Sequence, residues 1–308
     1  MVFTQALVNG LVQGSIFALF AAGFTIIFGV MDIPNMGHAA LFAGGAYIFY
    51  HTVEVVGLPW YAGLLAAILL ISIFAAVIEQ QLISPLYDRD ETDYIFGVIL
   101  VTVGIGWILE RAYAQTWGHS PLYLGIGGLQ DLSINFAAVR INYLQIVVFI
   151  VSILSFAFLY VLTYKTMVGR SLRAIVQDRE LAHIRGVNVD RIFLMAFMLG
   201  SGMAAFAGIL NAAMFTLTPV MGFELLIKAF IIVILGGIGR IWGAAIAGYA
   251  LGIYEAFAVL YLTSYYIFAS EFALLIVFFL AKGLLVPEGS DSLSRIFKNR
   301  VSDLIGGM

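Results

Sequence analysis

Few residues in this 308-residue chain could do chemistry, because charged residues make up only 11% of it. Glu224 and Lys228 are four positions apart, a helical spacing that places opposite charges side by side and allows an ion pair. Asn9 and Gln13 share that spacing and offer amide groups that hydrogen-bond without ionising. These side chains can bind one another or a polar solute, and no nucleophile stands beside a base.

Known catalytic motifs are missing from the sequence. The four histidines are scattered (His38, His51, His119, His183), and without an H-E-x-x-H motif they argue against an intramembrane metalloprotease. There is no G-x-x-x-x-G-K-[ST] loop, so we expect no ATP hydrolysis on this chain. There are also no cysteines. We predict a protein that is not an enzyme and that carries no catalytic residue, cofactor or metal of its own.

The very apolar composition of the chain indicates which secondary-structure elements hold these residues in place. The chain is 62% hydrophobic and its mean hydropathy is +1.03, whereas soluble domains are roughly 45–50% apolar and about 25% charged. Runs such as 62–77 and 146–162 are apolar on every face, which favours helices over barrel strands. The first charged residue is Asp32, so the N-terminus lacks the basic start of a cleavable signal peptide. We predict an all-α polytopic membrane protein with a single transmembrane domain, residues 1–308.

Stretches of about 20 apolar residues recur along almost the whole chain and predict eight or nine helical spans. These are residues 6–30, 37–53, 60–83, 94–115, 142–164, 191–216, 224–239, 242–262 and 265–286. The segment 37–53 is short, and whether it crosses the membrane is left open.

The orientation of the spans is predicted from lysine and arginine. The stretch 165–191 holds six of the fifteen basic residues, and the region from Lys282 onward holds four more. Short loops rich in these residues stay in the cytoplasm, so the stretch 165–191 and the tail 287–308 are predicted there. Counting spans back places the N-terminus outside if 37–53 crosses.

An internal repeat occurs at an offset of 185 residues. Pro34-Asn35-Met36-Gly37 aligns with Pro219-Val220-Met221-Gly222 with three identities, and three further identities lie nearby (Ala22 with Ala207, Gly23 with Gly208, and Leu41 with Leu226). Each copy is a long span, a break marked by proline, and a short span. The span count gives the copies opposite orientations, as in transporters with inverted repeats, and both breaks are predicted to face the protein interior.

The basic stretch 165–191 contains a predicted amphipathic helix over 169–186. Its apolar positions are Leu172, Ile175, Val176, Leu181, Ala182 and Ile184, and Gly186 offers a stop. One interpretation is an ordinary basic loop beside the membrane. The other is a docking helix for a cytoplasmic partner, which is favoured because Asp178 and Glu180 flank Arg179 and suit a protein surface better than lipid headgroups.

Three blocks of residues carry a resemblance to a known family. They are Thr166, Gly169-Arg170, Arg173-Ala174, Asp178, Ala182 and Gly186-Val187-Asn188; Asn35, His38 and Gly45-Ala46-Tyr47; and Leu235-Gly236-Gly237-Ile238-Gly239 with Gly243-Ala244 and Gly248. In order and spacing they resemble the branched-chain amino-acid ABC permeases of the LivH type, and the likeness extends over most of the chain. Ala39 departs from the pattern, since the family usually has glycine there.

The resemblance implies a permease subunit of a binding-protein-dependent ABC importer in a prokaryotic inner membrane. It would carry branched-chain or other small amino acids by ATP-driven alternating access. Its partners would be a second related permease, two cytoplasmic ATPases that hold ATP and Mg²⁺, an external solute-binding protein and the lipid bilayer, but no nucleic acid. A self-sufficient channel or ion-coupled carrier for a small polar solute remains the alternative.

Three sets of candidate residues follow. The resemblance implies that the ATPases contact Arg170, Arg173, Asp178, Arg179, Glu180, Ala182 and Gly186. Candidates for the translocation path are Asn9, Gln13, Asn35, His38, Tyr47, Glu224 and Lys228. Candidates for close helix packing are Gly10, Gly14, Gly23, Gly236, Gly237, Gly239 and Gly243. For Asn9 and Gln13, hydrogen bonding between helices is an equal alternative, and His38 is read first as a structural histidine.

Overall fold

The computed structural model describes residues 2–87, 89–125, 128, 132–136 and 139–285. The predicted tail 287–308 lies outside the described residues. The helices are α1 (Val2–Met31), α2 (His38–Tyr50), α3 (Trp60–Ile78), α4 (Glu91–Trp117), α5 (Tyr143–Lys165), α6 (Met167–Gln177), α7 (Arg179–Ile184), α8 (Val189–Met214), α9 (Met221–Gly236), α10 (Ile241–Ala258) and α11 (Ser264–Leu285). The predicted all-α class is confirmed.

Short irregular turns extend two of the helices, and one small sheet interrupts the helical pattern. A π-helical turn over His51–Val55 follows α2, and a second over Glu79–Ile83 follows α3. Strands β1 (Ser133–Phe136) and β2 (Val139–Asn142) pair as an antiparallel hairpin that the sequence analysis did not predict. The hairpin leads directly into α5, where Asn142 and Gln145 form a capping box.

Within the described part of the chain, six helices are long and apolar enough to cross a membrane. They are Val2–Met31, Trp60–Leu86, Glu91–Trp117, Tyr143–Lys165, Val189–Met214 and Ile241–Ala258. The predicted spans 37–53 and 224–239 form helices of 13 and 16 residues, which are the short members of the repeat. The chain is therefore a polytopic helical protein that combines long helices with the two short helices of the repeat.

The described residues fall into two compact units that divide between Tyr261 and Leu262, and the prediction of a single domain stays a prediction. In the first unit, α1 and α8 form the centre and are buried along most of their length. The second unit contains α11, in which the tilted rings of Phe268 and Phe272 have centroids 5.7 Å apart.

The repeat is visible in the packing of the first unit. The offset of 185 residues places α1 on α8, α2 on α9 and α3 on α10. Helix α1 packs against α8, α9 and α10, while α8 packs against α1, α2 and α3, so that each contact has a counterpart with the equivalent helices exchanged. A Cβ added to Gly23 would lie 3.1 Å from Met203, and one added to Gly200 would lie 2.6 Å from Ile27. Helices α1 and α8 therefore run antiparallel, as an inverted repeat requires.

The breaks are enclosed by protein, which supplies partners for the freed backbone groups. At the first break the Met36 amide donates to Thr102 Oγ1 at 3.2 Å, and the Tyr94 hydroxyl donates to the Met31 carbonyl at 3.3 Å. At the second break Leu217 and Leu122 exchange backbone hydrogen bonds of 2.9 and 3.0 Å. Broken helices are tolerated at membrane depth where other parts of the protein satisfy the freed backbone groups, as these four hydrogen bonds do.

Candidate functional site

A charged cluster lies between α1, α9 and α10. Lys228 Nζ is 2.8 Å from both carboxylate oxygens of Glu255 and 3.2 Å from Glu224 Oε1. It also lies 5.0 Å from the centre of the Phe17 ring. The side chains of Lys228 and Glu255 are 4% and 11% exposed, whereas that of Glu224 is 66% exposed. The ion pair predicted for Glu224 and Lys228 is present, but the buried partner is Glu255, whose role the sequence did not predict.

The two amides of α1 occupy one wall of an open cleft. The cleft has a volume of about 470 Å³, and α1 contributes Gln5, Asn9 and Gln13 to its lining while α10 contributes Ala256 and Val259. These α1 positions repeat every four residues, so they share one face of the helix. The cleft opens between the first turns of α1 and the last turn of α10.

Asn9 also ties two helices together. Its Oδ1 accepts hydrogen bonds from Gln5 Nε2 on its own helix and from Gln145 Nε2 on α5, each at 3.2 Å. Asn9 is exposed and lines the cleft at the same time. Both interpretations of Asn9, a link between helices and a cleft residue, are therefore compatible with its geometry.

The polar residues around the first break are buried, and each has a polar atom without a hydrogen-bond partner among the described residues. These atoms are Asn35 Nδ2, His38 Nδ1 and Tyr47 Oη. His38 Nε2 is 3.4 Å from the Phe20 carbonyl oxygen, and its ring packs against those of Phe20 and Phe24 with centroids 4.7 and 5.6 Å apart. His38 is thus enclosed by aromatic rings of α1.

Tyr47 belongs to an aromatic group at the other end of α2. Its ring stacks on Tyr113 at 5.1 Å and on Trp117 at 5.0 Å. The Tyr113 hydroxyl in turn donates to the Ala40 carbonyl at 3.2 Å. Through these contacts α2 is fixed to α4 along its length.

The basic stretch forms two helices, so the prediction of a single helix over 169–186 is wrong. Asp178 interrupts it with an extended backbone, and its Oδ1 accepts from the Leu181 amide at 2.8 Å as the N-cap of α7. Gly186 follows α7 with a φ of +85°, which confirms the predicted stop. Because Asp178 redirects the chain, Leu181 and Ile184 of the predicted apolar stripe are exposed.

The remaining stripe residues anchor the segment to the helical body. Leu172, Ile175 and Ala182 are buried. Val176 is exposed at 41%, but it contacts the turn between α9 and α10, since a Cβ added to Gly239 would lie 3.0 Å from it. The exposed face carries the coupling candidates Arg170, Asp178, Glu180 and Gly186.

Two arginines join this segment to neighbouring helices. The guanidinium of Arg173 donates to the Thr163 carbonyl and stacks over the Tyr164 ring at 4.9 Å. The Arg179 guanidinium lies 4.8 Å from the Phe193 ring centre and 6.0 Å from that of Tyr87. Stacking of this kind attracts a cation electrostatically and suits the planar guanidinium. Arginines placed in the coupling set by resemblance therefore contact α5, α8 and the turn after α3.

Arg179 also acts on the carboxyl group at the end of α1. Desolvation by the surrounding protein raises the pKa of Asp32, although the residue has an exposed surface, and the Arg179 charge opposes this rise. Asp32 has a φ of +58°, the only positive φ among described residues other than glycine. The loop between α1 and α2 and the start of α7 therefore share an electrostatic environment.

The candidate packing glycines lie at close helix contacts. A Cβ added to Gly10 would lie 2.7 Å from Ile253 Cα, and one added to Gly14 would lie 2.9 Å from Tyr249 Cα. Gly23 contacts Gly200, and Gly236 contacts Gly243. Gly237 and Gly239 instead have positive φ angles of +89° and +76° in the turn after α9. Only glycine allows both the close approach and this turn.

Comparisons with known proteins find one family of permeases over most of the chain. The family model described as "Branched-chain amino acid transport system / permease component" matches residues 6–281. The LivH permease proteins of the high-affinity branched-chain amino acid transport systems of Salmonella typhimurium and Escherichia coli K12 are each 31% identical over 300 residues, which cover 93% of this chain and 94% of the relative. The corresponding permease BraD of Pseudomonas aeruginosa is 30% identical over 83% of this chain and 86% of its own.

One further relative is similar to only about half of the chain. The autoinducer 2 import system permease LsrC of Escherichia coli is 33% identical over 51% of this chain and 41% of its own length. No solved structure is significantly similar to the chain.

Proposed function

Since the chain belongs to the branched-chain amino acid transport permease family, we propose that it is one permease subunit of a binding-protein-dependent ABC importer. It would carry branched-chain or other small amino acids by ATP-driven alternating access. The observation that carries this proposal is the match to the permease family over residues 6–281. The permease component is not a catalytic enzyme, so ATP and Mg²⁺ would be bound by separate ATPase subunits.

The contact with the ATPases is proposed to lie on α6 and α7. Arg170, Asp178 and Glu180 are exposed there and offer charges of both signs to a protein partner. Arg173 and Arg179 are stacked on rings of the helical body. A force applied to this segment would reach α5 and α8 directly, which supports its role as the coupling segment.

The basic side of the molecule is proposed to face the cytoplasm. Arg179 lies beside Tyr87 and Phe193, and its charge acts on Asp32, so the end of α1, the turn after α3 and the start of α8 share one side. Lysine and arginine dominate the loop on this side, which supports a cytoplasmic location in the inner membrane. The N-terminus of α1 would then lie outside.

The translocation path is proposed to involve polar side chains of α1 and α9. Asn9 and Gln13 line the open cleft, and Phe17, one turn below Gln13, contacts Lys228. Glu224 extends the cluster to an exposed surface. Charged groups within spans are costly unless they face one another or water, which supports a polar route here. Asn35, His38 and Tyr47 remain path candidates, although their buried surroundings also suit a structural role.

Branched-chain amino acids are the proposed solutes because LivH and BraD are named for their transport. The partial likeness to an autoinducer 2 permease means that solutes other than branched-chain amino acids are compatible with this kind of permease. The proposed assembly pairs the chain with a second related permease, two ATPases and an external solute-binding protein.

Affinity purification of the tagged chain in mild detergent, followed by mass spectrometry, tests the assembly. We expect two ATPase subunits and a second permease to co-purify. In proteoliposomes, uptake of radiolabelled leucine should require ATP and the binding protein. Uptake by the purified chain alone, without ATP, would contradict the proposal and establish a self-sufficient channel or carrier.

A further inference from the structure

A cavity of about 100 Å³ lies where the two helix breaks approach each other. Met36 of the first break with Ala39 at the start of α2, and Pro219 of the second break with Gly222 at the start of α9, contribute to its wall. The approach is close, because a Cβ added to Gly222 would overlap the Ala39 carbonyl oxygen. A single water needs about 10–15 Å³ of such volume, so this cavity has room for a group of several heavy atoms.

The cavity contains one charged side chain, that of Glu110 on α4. Glu110 is half-buried and forms no hydrogen bond or ion pair with any residue that the structure describes. It lies within the candidate span Glu91–Trp117. An unpaired carboxylate facing lipid would be expensive, and the physical expectation for such a group is a functional contact with water, solute or a partner.

The rest of the wall is almost entirely apolar. Val103 and Trp107 of α4 and Phe223 and Leu226 of α9 line the same cavity, which is open on the side where Trp107 and Phe223 are exposed. An inorganic cation such as Ca²⁺ or Mg²⁺ needs about six oxygen ligands, which one carboxylate among apolar side chains does not supply. An organic ammonium that carries an apolar group fits both features, because the carboxylate neutralises its charge and the walls cover its side chain.

The N-termini of two helices lie at the same cavity and supply partial positive charge to it. Ala39 and Ala40 belong to the first turn of α2, and Gly222 and Phe223 to the first turn of α9, and all four line the cavity. Neither helix has a side-chain cap at its start. Helix N-termini carry partial positive charge, so they favour the carboxylate that accompanies the ammonium of an amino acid.

We propose that this cavity binds an amino acid with an apolar side chain during its passage, and that Glu110 accepts hydrogen bonds from the α-ammonium. The inference rests on the proposed function, since it names the solute-binding site of that importer. Binding at this cavity would also explain why the two breaks lie next to each other, because both halves of the repeat then contact the same solute.

Glu110→Gln tests the proposal in the complete complex, reconstituted in proteoliposomes with ATP inside and the binding protein outside. The variant keeps the size of the side chain but removes its charge. We expect leucine uptake to fall at least tenfold, while ATP hydrolysis stimulated by the binding protein stays within twofold of wild type. Glu110→Asp should recover a measurable part of the uptake. The matched control is Asp93→Asn, an exposed carboxylate on the same helix outside the cavity, which should transport normally.

The outcomes separate this inference from the proposed function. If the wild-type complex takes up no leucine, the proposed function fails. If the wild type transports leucine and Glu110→Gln transports it equally well, the cavity assignment is overturned. Should Glu110→Gln assemble poorly, Gly106→Leu decides, because it fills the cavity and keeps the carboxylate. Uptake by Gly106→Leu within twofold of wild type overturns the assignment, and a loss of at least tenfold supports it.

Discussion

The ammonium of Lys228 lies 2.8 Å from both carboxylate oxygens of Glu255, a residue 27 positions further along the chain. The pair joins α9 to α10 and lies against Phe17 of α1. Its charge is therefore balanced only when the three helices have packed.

Removing one partner of this pair should destabilise the protein. Glu255→Gln leaves Lys228 buried without its main counter-charge, a situation that costs about 3–5 kcal/mol in protein interiors. The double variant Lys228→Met with Glu255→Leu should lose less, because no buried charge is left unpaired. Thermal unfolding in detergent measures both. Glu224→Gln is the control, since the Glu224 side chain is 66% exposed and should matter little. A double variant less stable than Glu255→Gln would contradict the argument.

Arg179 should require its planar shape as well as its charge. Arg179→Lys keeps the positive charge but loses the stacking on Phe193 and Tyr87, so we expect leucine uptake to fall nearly as far as in Arg179→Ala. Membrane insertion and yield should be unchanged in both. Arg170→Lys provides the comparison, because Arg170 is exposed and makes no ring contact within the described part of the chain. Normal uptake by Arg179→Ala would remove Arg179 from the coupling segment.

Asp32 should tolerate only residues that accept its backbone conformation. At a φ of +58°, Asp32→Ala should destabilise the protein by about 1–3 kcal/mol, whereas Asp32→Gly should not. Asp32→Asn accepts the same φ and removes the desolvated carboxylate. Because the folded-state pKa is raised, Asp32 makes the wild type lose stability as the pH increases above the ordinary value of 3.8, and this contribution is absent from the Asn variant, which should lose less. Melting temperatures of the variants between pH 4 and pH 7 check this order.

Close contact between α1 and α10 should depend on Gly10. An added methyl group would lie 2.7 Å from Ile253 Cα, so Gly10→Ala must push the helices apart and lower the melting temperature. At Gly104 in α4 an added Cβ meets nothing within 4 Å. Gly104→Ala should be neutral or should stabilise by up to about 1 kcal/mol, since alanine is the better helix former. Equal losses in the two variants would show that the contact is not limiting.

The sequence predicted those structural features that depend on a local pattern of residues. Apolar runs located the helices, because about 20 apolar residues have one stable arrangement in a bilayer. The match between Pro34 and Pro219 predicted the two breaks, and the structure confirms equivalent helices of opposite direction around them. The ion pair of Glu224 and Lys228 was predictable because both residues lie on one helix face.

The rest depends on which helices meet, and a single sequence does not contain that information directly. Glu255 could not be paired with Lys228 without the packing of α10 on α9. The sequence also contains two signals for features that were not predicted. Asp178 is a residue type that commonly forms an N-cap, with Leu181 three positions later, and Glu110 is a charge inside an apolar run. The hairpin β1–β2 is too short to stand out in an otherwise helical chain.

The inverted repeat has a consequence for the energy of the transport cycle. Positions 185 residues before Glu224, Lys228 and Glu255 hold Ala39, Ala43 and Leu70, so only one half carries the charged cluster. If the two halves exchanged conformations, the resulting states would differ in how well these charges are paired and shielded from water. In the proposed transport cycle, this asymmetry of charge would therefore give the two states different free energies, although the scaffold is built from a repeat.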